Sequence, residues 1–133
     1  MRKSMLFLSS IVILSFMMAS CKKEPGSGGT SSIYGKVYAK DYNSTFTVFL
    51  EGYYAQDEDV YIIYGDDKSF SDRVRTNYDG TFEFKYLRKG TYHIYTYSKD
   101  STLQTNAMIP VITDVEITKN NQDIPTNDLV IFK

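Results

Sequence analysis

From Thr81 to Tyr86 the chain alternates apolar and polar residues. Phe82 and Phe84 fall on one side and Glu83 and Lys85 on the other, the period of two that a half-buried β-strand requires. Asp79-Gly80 precedes this run as a turn signal, because glycine reaches positive φ without steric cost. Leu87-Arg88-Lys89-Gly90 then connects to a second alternating run, Thr91 to Ser98. There Tyr92, Ile94 and Thr96 share one face, and His93, Tyr95 and Tyr97 the other.

The same reading extends along the chain. Ile33, Gly35, Val37 and Ala39 oppose Tyr34, Lys36, Tyr38 and Lys40. Thr45 to Leu50 brings Phe46, Val48 and Leu50 together. Val60 to Tyr64 is apolar throughout, as a central strand is. Asp72 to Thr76 puts Val74 and Thr76 inward and two arginines outward. After Pro110, Val111, Thr113, Val115 and Ile117 oppose Ile112, Asp114, Glu116 and Thr118, and Leu129 to Phe132 closes the chain. Turn residues stand between the runs at Asp41 to Ser44, Gly65 to Asp67 and Asn120-Asn121. Beyond the first 20 residues no window carries the i, i+3, i+4 apolar stripe of a helix. The pattern predicts an all-β chain: a single antiparallel Greek-key β-sandwich of about seven to eight strands with no helix.

The first residues break this pattern. Arg2 and Lys3 give a positive start, and Leu6 to Met18 is apolar, the length of a signal-peptide core and short for a membrane span. Met18-Ala19-Ser20-Cys21 resembles a bacterial lipobox, in which the signal is removed before the cysteine and the thiol is acylated. Cys21 is the chain's single cysteine, so no internal disulfide can form. The expected organisation is a lipoprotein signal peptide over residues 1–20, a flexible tether over 21–32 beginning at lipidated Cys21, and a β-sandwich domain over 33–133. The tether, KKEPGSGGTSS after the cysteine, has no apolar residue to bury. As a coil it would hold the domain roughly 20 Å from the lipid. The expected location is the cell envelope, lipid-anchored to a bacterial membrane, the outer membrane above all.

Composition sharpens this only in places. With 12 Tyr, 8 Phe and no Trp, the chain has β composition. Loss of Arg2 and Lys3 with the signal leaves 13 basic against 16 acidic residues, a balance of −3, too acidic and too mixed for a nucleic-acid partner. His93 is the only histidine. It lies inside a strand with no catalytic signature around it, and reads as a structural or surface histidine. A zinc site needs several His or Cys ligands, which the chain cannot supply. Acidic residues flank the Val60–Tyr64 run at Asp57 to Asp59 and at Asp66, Asp67 and Asp72. Such oxygens suit calcium, but the spacing is not that of an EF-hand loop. The chain is therefore read as a non-enzyme with no cofactor and no metal.

A family resemblance rests on Thr76-Asn77-Tyr78-Asp79-Gly80-Thr81-Phe82-Glu83-Phe84, then Leu87, Gly90, Tyr92 and Ile94, with Ile33, Gly35 and Val37 upstream. These residues resemble the signature of carboxypeptidase regulatory-like and transthyretin-like (prealbumin-type) β-sandwiches, over most of residues 33–117. The resemblance implies that Leu87–Gly90 crosses from one sheet to the other. It also implies that the strands of Val60–Tyr64 and Thr91–Ser98 are sheet neighbours. It departs from the family between Asp41 and Asp59, where a short turn is usual. It implies no single function, since such modules serve many purposes.

Two functions stay open at this point. One is a lipid-anchored envelope protein whose sandwich binds an extracellular or envelope ligand: glycan, peptide or protein. The other is a non-binding spacer or accessory module of an envelope complex. The candidate ligand-binding residues are the outward set Tyr61, His93, Tyr95 and Tyr97; the membrane is a partner through Cys21. Tyrosine offers a flat ring and a hydroxyl on a side chain with few rotors, yet it also favours strands for packing reasons alone. Whether the outward tyrosines gather into one exposed patch separates the two functions.

Overall fold

A computed structural model of the chain describes residues 23–102 and 107–133. The signal-peptide and Cys21 readings lie outside the described residues. Among the described residues nine strands follow one another: β1 Ser27–Tyr42, β2 Phe49–Tyr54, β3 Asp59–Tyr64, β4 Asp72–Arg75, β5 Thr81–Leu87, β6 Gly90–Lys99, β7 Met108–Ile117, β8 Asp123–Pro125 and β9 Leu129–Phe132. No helix occurs among the described residues.

Two sheets face each other. In the first, β1 is central, with β2 and β5 antiparallel to it on one side and β8 and β9 parallel to it on the other. The second has the order β4-β3-β6-β7, antiparallel throughout. The all-β sandwich expected from the alternation is present. It is antiparallel-rich rather than wholly antiparallel, and the three-residue β8 is an added strand. The chain changes sheet between β2 and β3, β4 and β5, β5 and β6, and β7 and β8. The Leu87–Gly90 connection is thus a crossing and not a hairpin.

The core fills the space between the sheets. Ile33, Val37, Ala39, Phe82, Phe84, Leu87, Leu129 and Ile131 enter it from the first sheet, and Val60, Ile62, Tyr92, Ile94, Val115 and Ile117 from the second. The alternation had placed Phe82, Phe84, Tyr92 and Ile94 inward, and all four are almost fully buried. The turn before β5 is held by Asn77, whose Oδ1 accepts from Thr81 N at 3.0 Å. Gly80 takes φ +78° there, and a Cβ on it would lie 3.0 Å from Val37 O and 3.1 Å from Ala55 N. Only glycine lets the turn close against β1.

Two expectations are corrected. The tether over 21–32 does not extend to residue 32, because β1 begins at Ser27. Glu24 to Gly26 are also fixed: Arg88 Nε donates to Glu24 O at 2.8 Å, Arg88 N to Gly26 O at 2.8 Å, and Gly26 N to the Tyr92 hydroxyl at 2.9 Å. The segment needs no apolar side chain because backbone pairing and serine hydroxyls hold it. Ser31 Oγ donates to Lys119 O, and Ser32 Oγ to Asp123 Oδ1. The second correction concerns Thr45 to Leu50. Residues 45–48 form the loop of a β1–β2 hairpin, and β2 starts only at Phe49. Asn43 Oδ1 accepts from Thr47 N at 2.8 Å and Val48 N at 3.0 Å, and Phe46 has φ +54°. An asparagine that captures two backbone donors outcompetes the extended pairing that the apolar spacing suggested.

Candidate functional site

The outer face of the β4-β3-β6-β7 sheet is set by register. Tyr61 on β3 lies opposite Tyr95 on β6, and Ile63 opposite His93. On the far side Tyr95 lies opposite Ile112, Tyr97 opposite Pro110, and His93 opposite Asp114. Tyr61 also lies opposite Arg73 of β4. Because side chains alternate strictly along each strand, the residues that turn Ile62, Ile94 and Val115 into the core turn these outward.

The rings meet. Tyr61 and Tyr95 stack with centroids 5.0 Å apart and planes 14° from parallel. Tyr97 sits edge-on to both, 5.9 Å from Tyr61 and 5.6 Å from Tyr95. Phe70, from the loop before β4, completes the group at 5.1 Å from Tyr61, again edge-on. Phe70 was not among the sequence candidates. It precedes its strand by two residues, where alternation assigns no face. Tyr97 remains 43% exposed, Phe70 52% and Ile112 56%, while Tyr61 and Tyr95 are half-buried by their neighbours. Burial, and then Tyr97 beside it, holds the Tyr95 phenol above its ordinary pKa.

Charge frames the patch. Asp59 takes both arginines of β4, with Arg75 Nε at 3.1 Å and Arg73 Nη1 at 3.7 Å. On the other flank His93 Nδ1 lies 2.5 Å from Asp114 Oδ1, a hydrogen bond in which the imidazole N–H donates to the carboxylate. This bond orients the His93 ring along the sheet, and among the described residues no serine or threonine hydroxyl is bonded to it. The structure thus brings Tyr61, Tyr95 and Tyr97 into one cluster, with His93 at its margin held by Asp114. Cys21 lies outside the described residues. Among them, no group of three or more His, Cys, Asp or Glu side chains is arranged to hold a metal ion.

No family model matches the chain, and no curated protein matches it in sequence. Among solved structures, it is similar to a Pseudomonas aeruginosa protein described as a "putative carbohydrate binding protein", with 14% identity and a TM-score of 0.49. The match covers 81% of this chain and 91% of that one.

Proposed function

We propose that this chain is a bacterial envelope lipoprotein, acylated on Cys21, whose sandwich is a non-catalytic binding module that takes a glycan or an envelope protein on its ring-lined outer face. The observation that carries the binding reading is the gathering of Tyr61, Tyr95, Tyr97 and Phe70 into one patch. Flat rings edged by hydroxyls give a ligand apolar area and hydrogen-bond partners at low entropic cost. Kinship with the transthyretin-like sandwiches belongs to the same reading. The β5–β6 crossing and the β3–β6 pairing that the resemblance implied support it.

The anchor rests on the lipobox-like residues before Cys21. Acyl chains contribute about 0.8 kcal/mol per buried CH₂, so two or more hold essentially permanently. With Glu24 to Gly26 fixed to Arg88 and Tyr92, only Lys22 and Lys23 would separate the lipid from the folded domain. That link reaches about 10 Å at full extension. The sandwich would then stand on the membrane by the end where β1 begins, with the aromatic face to one side.

The experiment has two arms. Cys21→Ser should release the domain from the membrane fraction or stall processing; retention with a correctly removed signal overturns the anchor. In the released domain, Tyr95→Ser with Tyr97→Ser should abolish capture of polysaccharide or envelope protein while leaving a cooperative melt. Normal capture by the double variant makes the face scaffold and favours the accessory-module reading.

A further inference from the structure

The end of the sandwich where β1 begins is polarised. On one side a groove of about 1010 Å³ is walled by residues 28–30 of β1, by residues 88–90, and by the end of β7 and the loop after it. Residues 28–30 can form a wall because they leave the ladder. Ser27 and Ser31 both register with Leu87, so the three residues between them have no partner on β5. Lys23, Arg88 and Lys89 line the groove against one carboxylate, that of Glu116. None of the three cations is ion-paired among the described residues. On the other side, past Pro25 and Gly90, a hollow of about 520 Å³ is lined by Glu24, Asp66 and Asp67 and by no base; Lys68 follows on the same turn.

Arg88 is held in place within the groove. Its Nε donates to Glu24 O at 2.8 Å. Its guanidinium lies across the start of β1, where a Cβ on Gly26 would fall 2.9 Å from Nη2 and one on Gly28 4.0 Å from Nη1. Neither Nη group is hydrogen-bonded among the described residues, so a fixed planar fork keeps its outer donors for a ligand. Such a fork matches two oxygens of a phosphate, and Lys23 and Lys89 add point charges beside it. The chain leaving the domain indicates where that phosphate comes from. Lys23 lines the groove and stands two residues from Cys21. With the thiol acylated, a link of about 10 Å keeps the groove at the level of the lipid headgroups.

We propose that this groove takes the phosphates of anionic phospholipid headgroups, and that the domain leans on them with its acidic hollow lifted. The proposal rests on the anchor at Cys21. Glu24, Asp66 and Asp67 repel the headgroups that Lys23, Arg88 and Lys89 attract, so this end does not lie flat on the lipid. The lean raises the connection between β3 and β4. That connection also carries Phe70, so the Phe70 margin of the aromatic patch stays clear of the membrane and open to a ligand.

The test uses the acylated protein reconstituted on vesicles of phosphatidylcholine, with and without phosphatidylglycerol, and reads the acetylation rate of each lysine by mass spectrometry. On the mixed vesicles Lys89 should react about fivefold more slowly, the effect of one base at an anionic surface, while Lys68 on the lifted turn and Lys99 at the far end of β6 keep their rates. High salt should remove the difference, because a Debye length of about 3 Å at 1 M screens it. Lys89→Glu sets two bases against two acids in the groove and should abolish the slowing read at Lys119, between Thr118 and Asn120 of the wall; Lys89→Arg should keep it. Equal slowing of Lys89 and Lys68 means a domain that swivels freely and overturns the proposal, as does no slowing. Equal protection by inorganic phosphate on phosphatidylcholine alone overturns it in favour of a free anion. The anchor is read separately. Protein that leaves phosphatidylcholine but stays on the mixed vesicles loses the anchor and keeps the headgroup contact; protein that leaves both loses both.

Discussion

Two aromatic surfaces among the described residues are built from the same kinds of residue and end in different states. On the β4-β3-β6-β7 sheet, Tyr61 and Tyr95 are half-buried although they face outward, because strands flank them on both sides and rings close over them. On the β1–β2 hairpin, Phe49 is 53% and Leu50 58% exposed, although Phe49 also meets a ring, that of Tyr42, at 5.4 Å. The difference lies in what stands behind and beside each. The first surface is the back of a sheet whose other face is core, so its rings are held by neighbours whose positions are already fixed. The second is an edge strand with one neighbour, and a ring there can shelter only against its own hairpin. Apolar content therefore does not decide burial; the number of fixed neighbours does.

The widest test of that contrast uses one ring in two places. Phe84→Ala removes a side chain that is 2% exposed in the core and should cost about 3–5 kcal/mol. Phe49→Ala removes an equal ring from the hairpin. It should cost no more than the pair contact with Tyr42, about 0.5–1.5 kcal/mol. Urea unfolding of the two variants measures the gap. Equal losses would mean that the hairpin is packed as firmly as the body, and the contrast would fail.

A middle-sized effect sharpens it through two tyrosine hydroxyls. The Tyr92 hydroxyl accepts from Gly26 N and donates to Arg88 O at 2.6 Å, so Tyr92→Phe leaves a buried N–H unpaired and should cost about 1–3 kcal/mol. Tyr54 donates to Asp128 Oδ2 at 3.1 Å on the surface, and Tyr54→Phe should stay within about 0.5 kcal/mol. Burial raises the Tyr92 pKa above the ordinary phenol value of 10.0. A raised folded-state pKa gives stability that is whole below the unfolded value and is lost as pH climbs towards the folded one. Stability should thus fall above about pH 10, and more steeply in the parent than in Tyr92→Phe.

Much of this was legible in the chain itself, and the exceptions have a common cause. Phe82 and Phe84, Tyr92 and Ile94, and the outward Tyr61, Tyr95 and Tyr97 all follow from strict alternation, because side-chain direction in a strand is a matter of parity. What stayed hidden was structure held by main-chain and hydroxyl bonds. Ser27 to Ser32 reads as linker because its pairing with Leu87 and Asp123 uses no apolar side chain. The strand β8 has three residues, too few for any period. The loop over residues 45–48 reads as strand from the spacing of Phe46 and Val48, but Asn43 takes its backbone donors. Phe70 was missed because ring contacts across a loop leave no periodic trace.

The smallest expected effect differs in sign between the two regions. On β3 and β4, Asp59 lies opposite Arg75, with Arg75 Nε 3.1 Å from Asp59 Oδ1. On β1 and β2, Asp41 lies opposite Glu51 with no basic partner among the described residues. Directly opposed cross-strand charges count for about 0.2–1 kcal/mol, favourable when unlike and unfavourable when like. Arg75→Gln should therefore destabilise the protein by about that amount and Glu51→Gln stabilise it by a similar one. Both differences should shrink in high salt, because a Debye length of about 3 Å at 1 M screens exposed pairs. Thermal melts of the two variants at low and high salt give the signs and their decay. A Glu51→Gln variant that melts lower than the parent at low salt would place a cation against Glu51 and remove the difference in sign between the two regions.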